Sequence, residues 1–113
     1  MRRLLLPLLF LAGCSKGPQA DLPSIGEARS LGAEWALVNE QAAKGQLTHT
    51  YAETMRTQLR EQLQTDLTSL SQPHSLYGGE IRALLALPDD ATPKTLRVHA
   101  RALKQIEENL ESA

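Results

Sequence analysis

Residues Ala28 to Thr48 read ARSLGAEWALVNEQAAKGQLT, and the fold class follows from them. Ala28, Leu31, Trp35, Val38 and Ala42 recur at steps of three and four, which places them on one stripe of a helix. Lys44 and Gly45 close that helix with a cation near the carbonyl end and a residue able to take the left-handed cap. Only Gly45-Gln46-Leu47 then precede Thr48, a suitable N-cap, with Leu47 and Ala52 placed around it for a weak hydrophobic staple. The next stripe follows at once through Ala52, Met55, Leu59, Leu63, Leu67 and Leu70, until Ser71-Gln72-Pro73 stops it. So short a connection makes the two helices antiparallel neighbours.

Working outward, Ser24-Ile25-Gly26-Glu27 has the spacing of a capping box, so the first helix is expected to open at Ser24. Gly32 inside it is expected to permit close packing, at a cost of about 1 kcal/mol relative to alanine. Downstream, His74-Ser75-Leu76-Tyr77-Gly78-Gly79 reads as a turn-rich bend, and a short apolar helix is expected from about Glu80 to Leu87, ended by Pro88. Thr92 then caps a last helix with Pro93 at its first position, where the missing amide does no harm. Leu96, Ala100, Leu103, Ile106 and Leu110 form its buried side. The expectation is an all-α fold, a small bundle of three long helices and one short one, with no period-two stretch that would make a strand.

The chain begins MRRLLLPLLFLAGC. Arg2 and Arg3, an apolar run from Leu4 to Ala12, and small Gly13 before Cys14 have the layout of an export signal. The run is too short to remain as a membrane span, which needs about 20 apolar residues. Leu11-Ala12-Gly13-Cys14 resembles the lipobox of bacterial lipoproteins. That resemblance implies cleavage before Cys14, a diacylglycerol on its thiol, often a third chain on the new amino terminus, and stable membrane attachment. In a Gram-negative host, Ser15 after the cysteine implies transfer to the outer membrane, with the domain facing the periplasm. The organisation expected is therefore a signal peptide over residues 1–13, a lipidated cysteine and flexible linker over 14–23, and a helical domain over 24–113. Ser15 to Pro23 carries Gly17, Pro18 and Pro23 and no apolar pattern, so it is expected to be extended and solvated.

Removing Arg2 and Arg3 from the twelve basic residues leaves ten against thirteen acidic ones, a net charge near −3. That balance argues against a nucleic-acid or anionic-lipid binder. With Phe10 gone with the signal, Trp35, Tyr51 and Tyr77 are the remaining aromatics, so the core must be built of leucine. A domain this small should have a stability on the order of 5 kcal/mol.

His49, His74 and His99 are the strongest candidates for chemistry, and His49 with Glu53 has the one-turn spacing of paired metal ligands. A metal needs a third ligand, and no motif supplies it, so no metal or other cofactor is expected. Asp89 and Asp90, with Glu80, could act as catalytic carboxylates only beside a cleft that split their pKa values. Between Pro88 and a helix cap they are ordinary turn formers. A glycine-rich phosphate loop, a nucleophile elbow and HExxH are all missing from the sequence, so an enzyme is not expected.

The charged side of the last helix carries more information. Lys94, Arg97, Arg101 and Lys104 follow at steps of three, four and three, forming a basic stripe that Glu108 and Glu111 continue with the opposite sign. Exposed helix faces are usually charged. This order nevertheless runs against the helix dipole, which prefers anions at the start and cations at the end. The functional reading is a docking surface for an acidic protein partner or for a second copy. The expected function is thus a non-enzymatic, membrane-anchored envelope lipoprotein acting as an adaptor or structural module. Its rival is a periplasmic small-ligand or metal-binding protein using His49, His74 or His99.

Overall fold

Gly45 holds φ at +73°, and around it the Gly45 amide donates to the Ala42 carbonyl at 3.0 Å and the Gln46 amide to the Gln41 carbonyl at 2.9 Å. This pair of bonds is a Schellman cap, and it turns the chain sharply out of one helix toward the next. The computed structural model describes residues 17–113. Their helices are α1 (Leu22–Ala43), α2 (His49–Ser69), α3 (Leu76–Leu85) and α4 (Pro93–Glu111), with a 3-10 turn, Pro18–Asp21, ahead of α1. The signal stretch, the lipobox with Cys14, and Ser15 lie outside the described residues. Among the described residues there is no strand, and no helix is long and apolar enough to cross a membrane.

Three hydroxyl caps set the other starts. Thr48 Oγ1 accepts the Tyr51 amide at 3.1 Å, Ser75 Oγ the Gly78 amide at 3.2 Å, and Thr92 Oγ1 the Thr95 amide at 3.2 Å. Each satisfies an orphan donor and contributes roughly 1 kcal/mol. Two of these, at Thr48 and Thr92, are legible in the sequence.

α1 is the central helix. It packs along its length against α4 on one side and α2 on the other, while α2 and α4 scarcely touch each other. Asn39 near its end meets Arg56 near the start of α2, and Asp21 just ahead of it meets Ser71 just after α2, so the two run antiparallel. Glu40 to Arg97 and Arg29 to Glu107 fix α1 and α4 antiparallel in the same way. α3 lies across one face of this layer, where Leu84 and Ala100 close on Gly32 at the separation close packing requires. Trp35, Leu63, Ile81, Leu84, Leu96 and Leu103 are fully buried at the centre.

Several expectations need correction. The helical unit begins at Pro18, not at Ser24: Gly17 to Pro23 is folded rather than extended, and Leu22 and Pro23 already belong to α1. No capping box forms at Ser24, because Asp21 occupies the N-cap position and turns its carboxylate elsewhere. The bend at Leu76 to Gly79 is the first turn of α3, which runs from Leu76 to Leu85. Gly78 serves close approach, since a Cβ there would collide with the Pro73 carbonyl. The buried face of α1 is also wider than one stripe, taking in Ile25, Gly32, Ala36 and Asn39, because neighbours stand on both its sides.

Two polar clasps tie the connections to the layer. Asp21, 2% exposed, takes the Ser71 amide at 2.7 Å on Oδ1. Its Oδ2 takes the Ser71 hydroxyl at 3.0 Å, the Gln72 amide at 3.1 Å and the Tyr77 hydroxyl at 2.6 Å. Burial alone would raise its pKa, but these bonds outweigh burial and hold it below the ordinary carboxylate value. Tyr77 moves the opposite way, up to about 12, through burial and its bond to Asp21. The same end is fastened by the Ser71 hydroxyl, which shares its single proton between Asp21 and the Gly17 carbonyl, 3.0 Å away, and by Gln19 Nε2 donating to the Leu110 carbonyl at 3.0 Å.

At the opposite end, Arg60 donates to Asp89 Oδ1 at 2.7 Å, to the Leu85 carbonyl at 2.9 Å and to the Leu87 carbonyl, with its guanidinium 4.7 Å from the centre of the Trp35 ring. Trp35 Nε1 and Asn39 Nδ2 both donate to the Asp89 carbonyl at 3.0 Å, and Asn39 Nδ2 also reaches the Ala91 carbonyl at 2.7 Å. The α3–α4 connection is thereby held against α1 and α2 by the neighbours' side chains.

Candidate protein interface

Along the α1–α4 seam, two ion pairs stand at the ends and unpaired cations lie between them. Arg97 Nη2 meets Glu40 Oε1 at 2.9 Å, and Arg29 Nε meets Glu107 Oε1 at 2.7 Å. The Arg97 hydrogen bond and its charge hold the Glu40 carboxyl below its ordinary pKa. Between these pairs Arg101 and Lys104 are exposed, and neither lies within 4.0 Å of a carboxylate among the described residues. Together with Arg29 and Arg97 they surround a groove of about 260 Å³ whose floor is Ala33 and Ala100.

The structure thus brings three of the four stripe residues to one groove: Arg97, Arg101 and Lys104. Lys94, exposed one turn nearer the start of α4, does not line it. Arg97 is already engaged by Glu40 and Arg29 by Glu107, which leaves Arg101 and Lys104 as the groove's cations open to a partner. Arg29 was missed by sequence reasoning because it belongs to a different helix. The antiparallel match of Arg29 and Glu40 on α1 with Glu107 and Arg97 on α4 is the signal that could have found it. Of the acidic continuation, Glu108 and Glu111 stay exposed, and it is Glu107 that turns to α1.

The histidines are not brought together. His49 at the start of α2 lies 3.3 Å from Glu53, His74 is exposed in the α2–α3 connection, and half-buried His99 places Nδ1 2.8 Å from Glu80 Oε1. Among the described residues no three His, Cys, Asp or Glu side chains converge as a ligand set. The candidate carboxylates are equally dispersed: Asp89 is engaged by Arg60, Asp90 is exposed, and Glu80 of α3 pairs with His99. A cleft of about 400 Å³ lies where α1 and α2 meet the start of α4 and is lined by Asn39, Arg56, Asp90, Thr92 and Pro93 with three alanines. Asn39 is committed there to loop carbonyls and to Arg56 Nε at 2.8 Å, so this cleft is the outer surface of the clasp.

One buried ionisable group stands apart from these pairs. Asp66 on α2 is 4% exposed, and its Oδ2 has no hydrogen-bond partner. Burial pushes its pKa up to about 8, reinforced by the bond it shares with Glu27 of α1 and by that carboxylate's charge. Burial and the neighbouring Glu27 carboxylate thus both favour the protonated form of Asp66.

Comparison with known proteins gives no match: no family model fits the chain, and none of the curated proteins or solved structures compared is similar to it.

Proposed function

We propose that this chain is a lipid-anchored envelope protein whose helical domain binds an acidic protein partner through the α1–α4 groove, acting as an adaptor and not as an enzyme. The observation that carries the reading is the pair of unpaired cations, Arg101 and Lys104, held over an alanine floor between two fixed ion pairs. Alanines let a partner approach closely, and the flanking pairs hold Arg29 and Arg97 at the rim, so part of the ordering cost of binding is already met. Exposed cations facing a complementary surface steer encounter and set specificity. The anchor rests on the lipobox resemblance at Leu11-Ala12-Gly13-Cys14, which implies attachment through Cys14 to the periplasmic side of an outer membrane.

The test uses the full chain tagged after Ala113 and cross-linked in intact envelopes. A reproducible partner with an acidic surface, lost when Arg101→Glu and Lys104→Glu are combined, is the expected result. Recovery of the same partner by the doubly reversed chain would overturn the interface. Metabolic labelling with a fatty acid should mark the native chain but not Cys14→Ala, and equal labelling of both would overturn the anchor.

A further inference from the structure

Beside the cationic groove, across the exposed ridge of α1, lies a second groove of about 210 Å³ between α1 and α2. Leu37, Val38, Leu47, Tyr51 and Met55 line it. Leu37 is 50% exposed and Tyr51 52%, two of the few large apolar side chains in the described residues that remain open to solvent. Leu37 lies one turn beyond Ala33, which lines the cationic groove, so the two grooves are offset along α1 by only about 6 Å at the ridge. α3 cannot reach this face: it packs on Gly32, and Leu37 lies about 140° around the helix from that glycine.

We propose that the acidic partner presents an amphipathic helix that crosses α1 obliquely, with apolar side chains seated among Leu37, Tyr51 and Met55 and its carboxylates over Arg101 and Lys104. The proposal rests on the reading of the α4 cations as a docking surface and specifies what docks there. Four observations select this occupant. Helical backbone has its hydrogen bonds satisfied internally, and among the described residues no strand edge offers pairing, so recognition must run through side chains in grooves. Ala33 at the crossing point keeps the ridge low enough for another helix. The cations stand on one side of the ridge only, which calls for carboxylates on one side of the ligand. Glu34, exposed at the rim of the apolar groove, repels the acidic side and so fixes the direction of crossing. A contact of three or four helical turns falls in the small interface class, which suits a reversible association.

The experiment places a photo-reactive amino acid at Leu37, Tyr51 or Lys104, with exposed Thr57 as control, in cells producing the full chain. Captured peptides are then sequenced by mass spectrometry. The expected result is one partner captured from all three positions and not from Thr57, through a segment with apolar residues at helical spacing and at least two carboxylates on one flank. Leu37→Asp should cut capture from position 104 at least tenfold, and so should Arg101→Glu, in chains whose thermal unfolding is unchanged. Leu37→Ser, a milder change, should reduce it several-fold. Capture from position 104 alone would overturn this proposal and leave the cationic interface standing. Capture from positions 37 and 51 that survives charge reversal, or no capture anywhere, would overturn both. Adducts of the chain with itself would replace the amphipathic partner by a second copy.

Discussion

Asp66→Asn should make this protein more stable at neutral pH and should alter the pH dependence of its stability. In the folded chain the Asp66 carboxyl is held up to about 8, against 3.8 for the free side chain. The folded state therefore binds a proton that the unfolded state releases, so stability falls as pH rises from about 4 toward 8. Below the unfolded value both states are protonated and the penalty vanishes. At pH 7 the medium lies about 3 units above the unfolded value, which at about 1.36 kcal/mol per unit gives a ceiling of roughly 4 kcal/mol. Asparagine can still donate to Glu27 and does not titrate, but its amide keeps a buried unpaired atom, so a gain of about 1–3 kcal/mol should remain. Urea unfolding followed by the fluorescence of Trp35, the chain's single tryptophan, measures this directly between pH 4 and pH 8.5. The two proteins should agree within about 1 kcal/mol at pH 4 and separate steadily above it. Parallel stability curves across that range would refute the account of Asp66.

Other perturbations test the clasps and the close approach at Pro73. Tyr77→Phe removes a 2.6 Å bond to buried Asp21 and should cost about 1–3 kcal/mol. Because Asp21 then loses part of what lowers its pKa, acid unfolding should begin at a higher pH, read by circular dichroism on titration. Arg60→Ala should cost about 2–4 kcal/mol by urea unfolding, and Arg60→Lys should not restore it, since an ammonium cannot fork to Asp89, Leu85 and Leu87 together. Gly78→Ala and Gly79→Ala should have opposite signs in thermal unfolding. The first drives a Cβ into the Pro73 carbonyl, while the second meets open space and gains about 0.5–1 kcal/mol of helix propensity.

What the sequence made legible was local. The caps at Thr48 and Thr92, the glycine at position 45 and the leucine stripes of α2 and α4 depend on neighbours within a turn or two, and they stand where the spacing puts them. What it hid was decided between elements. Asp21 leaves its cap because Ser71, Gln72 and Tyr77 offer stronger bonds than the start of α1 does. Gly78 looks like a turn residue until Pro73 is known to lie against it. Asp66 falls beside the α2 stripe, where charge suggests solvent, and only the packing against α1 makes it interior. The basic stripe was readable by period, but Glu40 claims Arg97 and Arg29 joins the groove from another helix, so which cations remain open is a property of the α1–α4 pairing.

The folded turn at Pro18–Asp21 changes how the domain would stand at a membrane. Cys14 is three links from Gly17, and three links span at most about 11 Å. With Cys14 lipidated as proposed, the end of the domain where Ser71 meets Gly17 and Gln19 meets Leu110 would stay within about that reach of the anchor. α1, about 33 Å long, then limits how far from the bilayer the opposite end, with its clasp around Arg60 and Asp89, can stand. The cationic groove lies partway along that helix. A partner meeting it must come within roughly 30 Å of the bilayer, which favours proteins that are themselves seated in or on the same membrane.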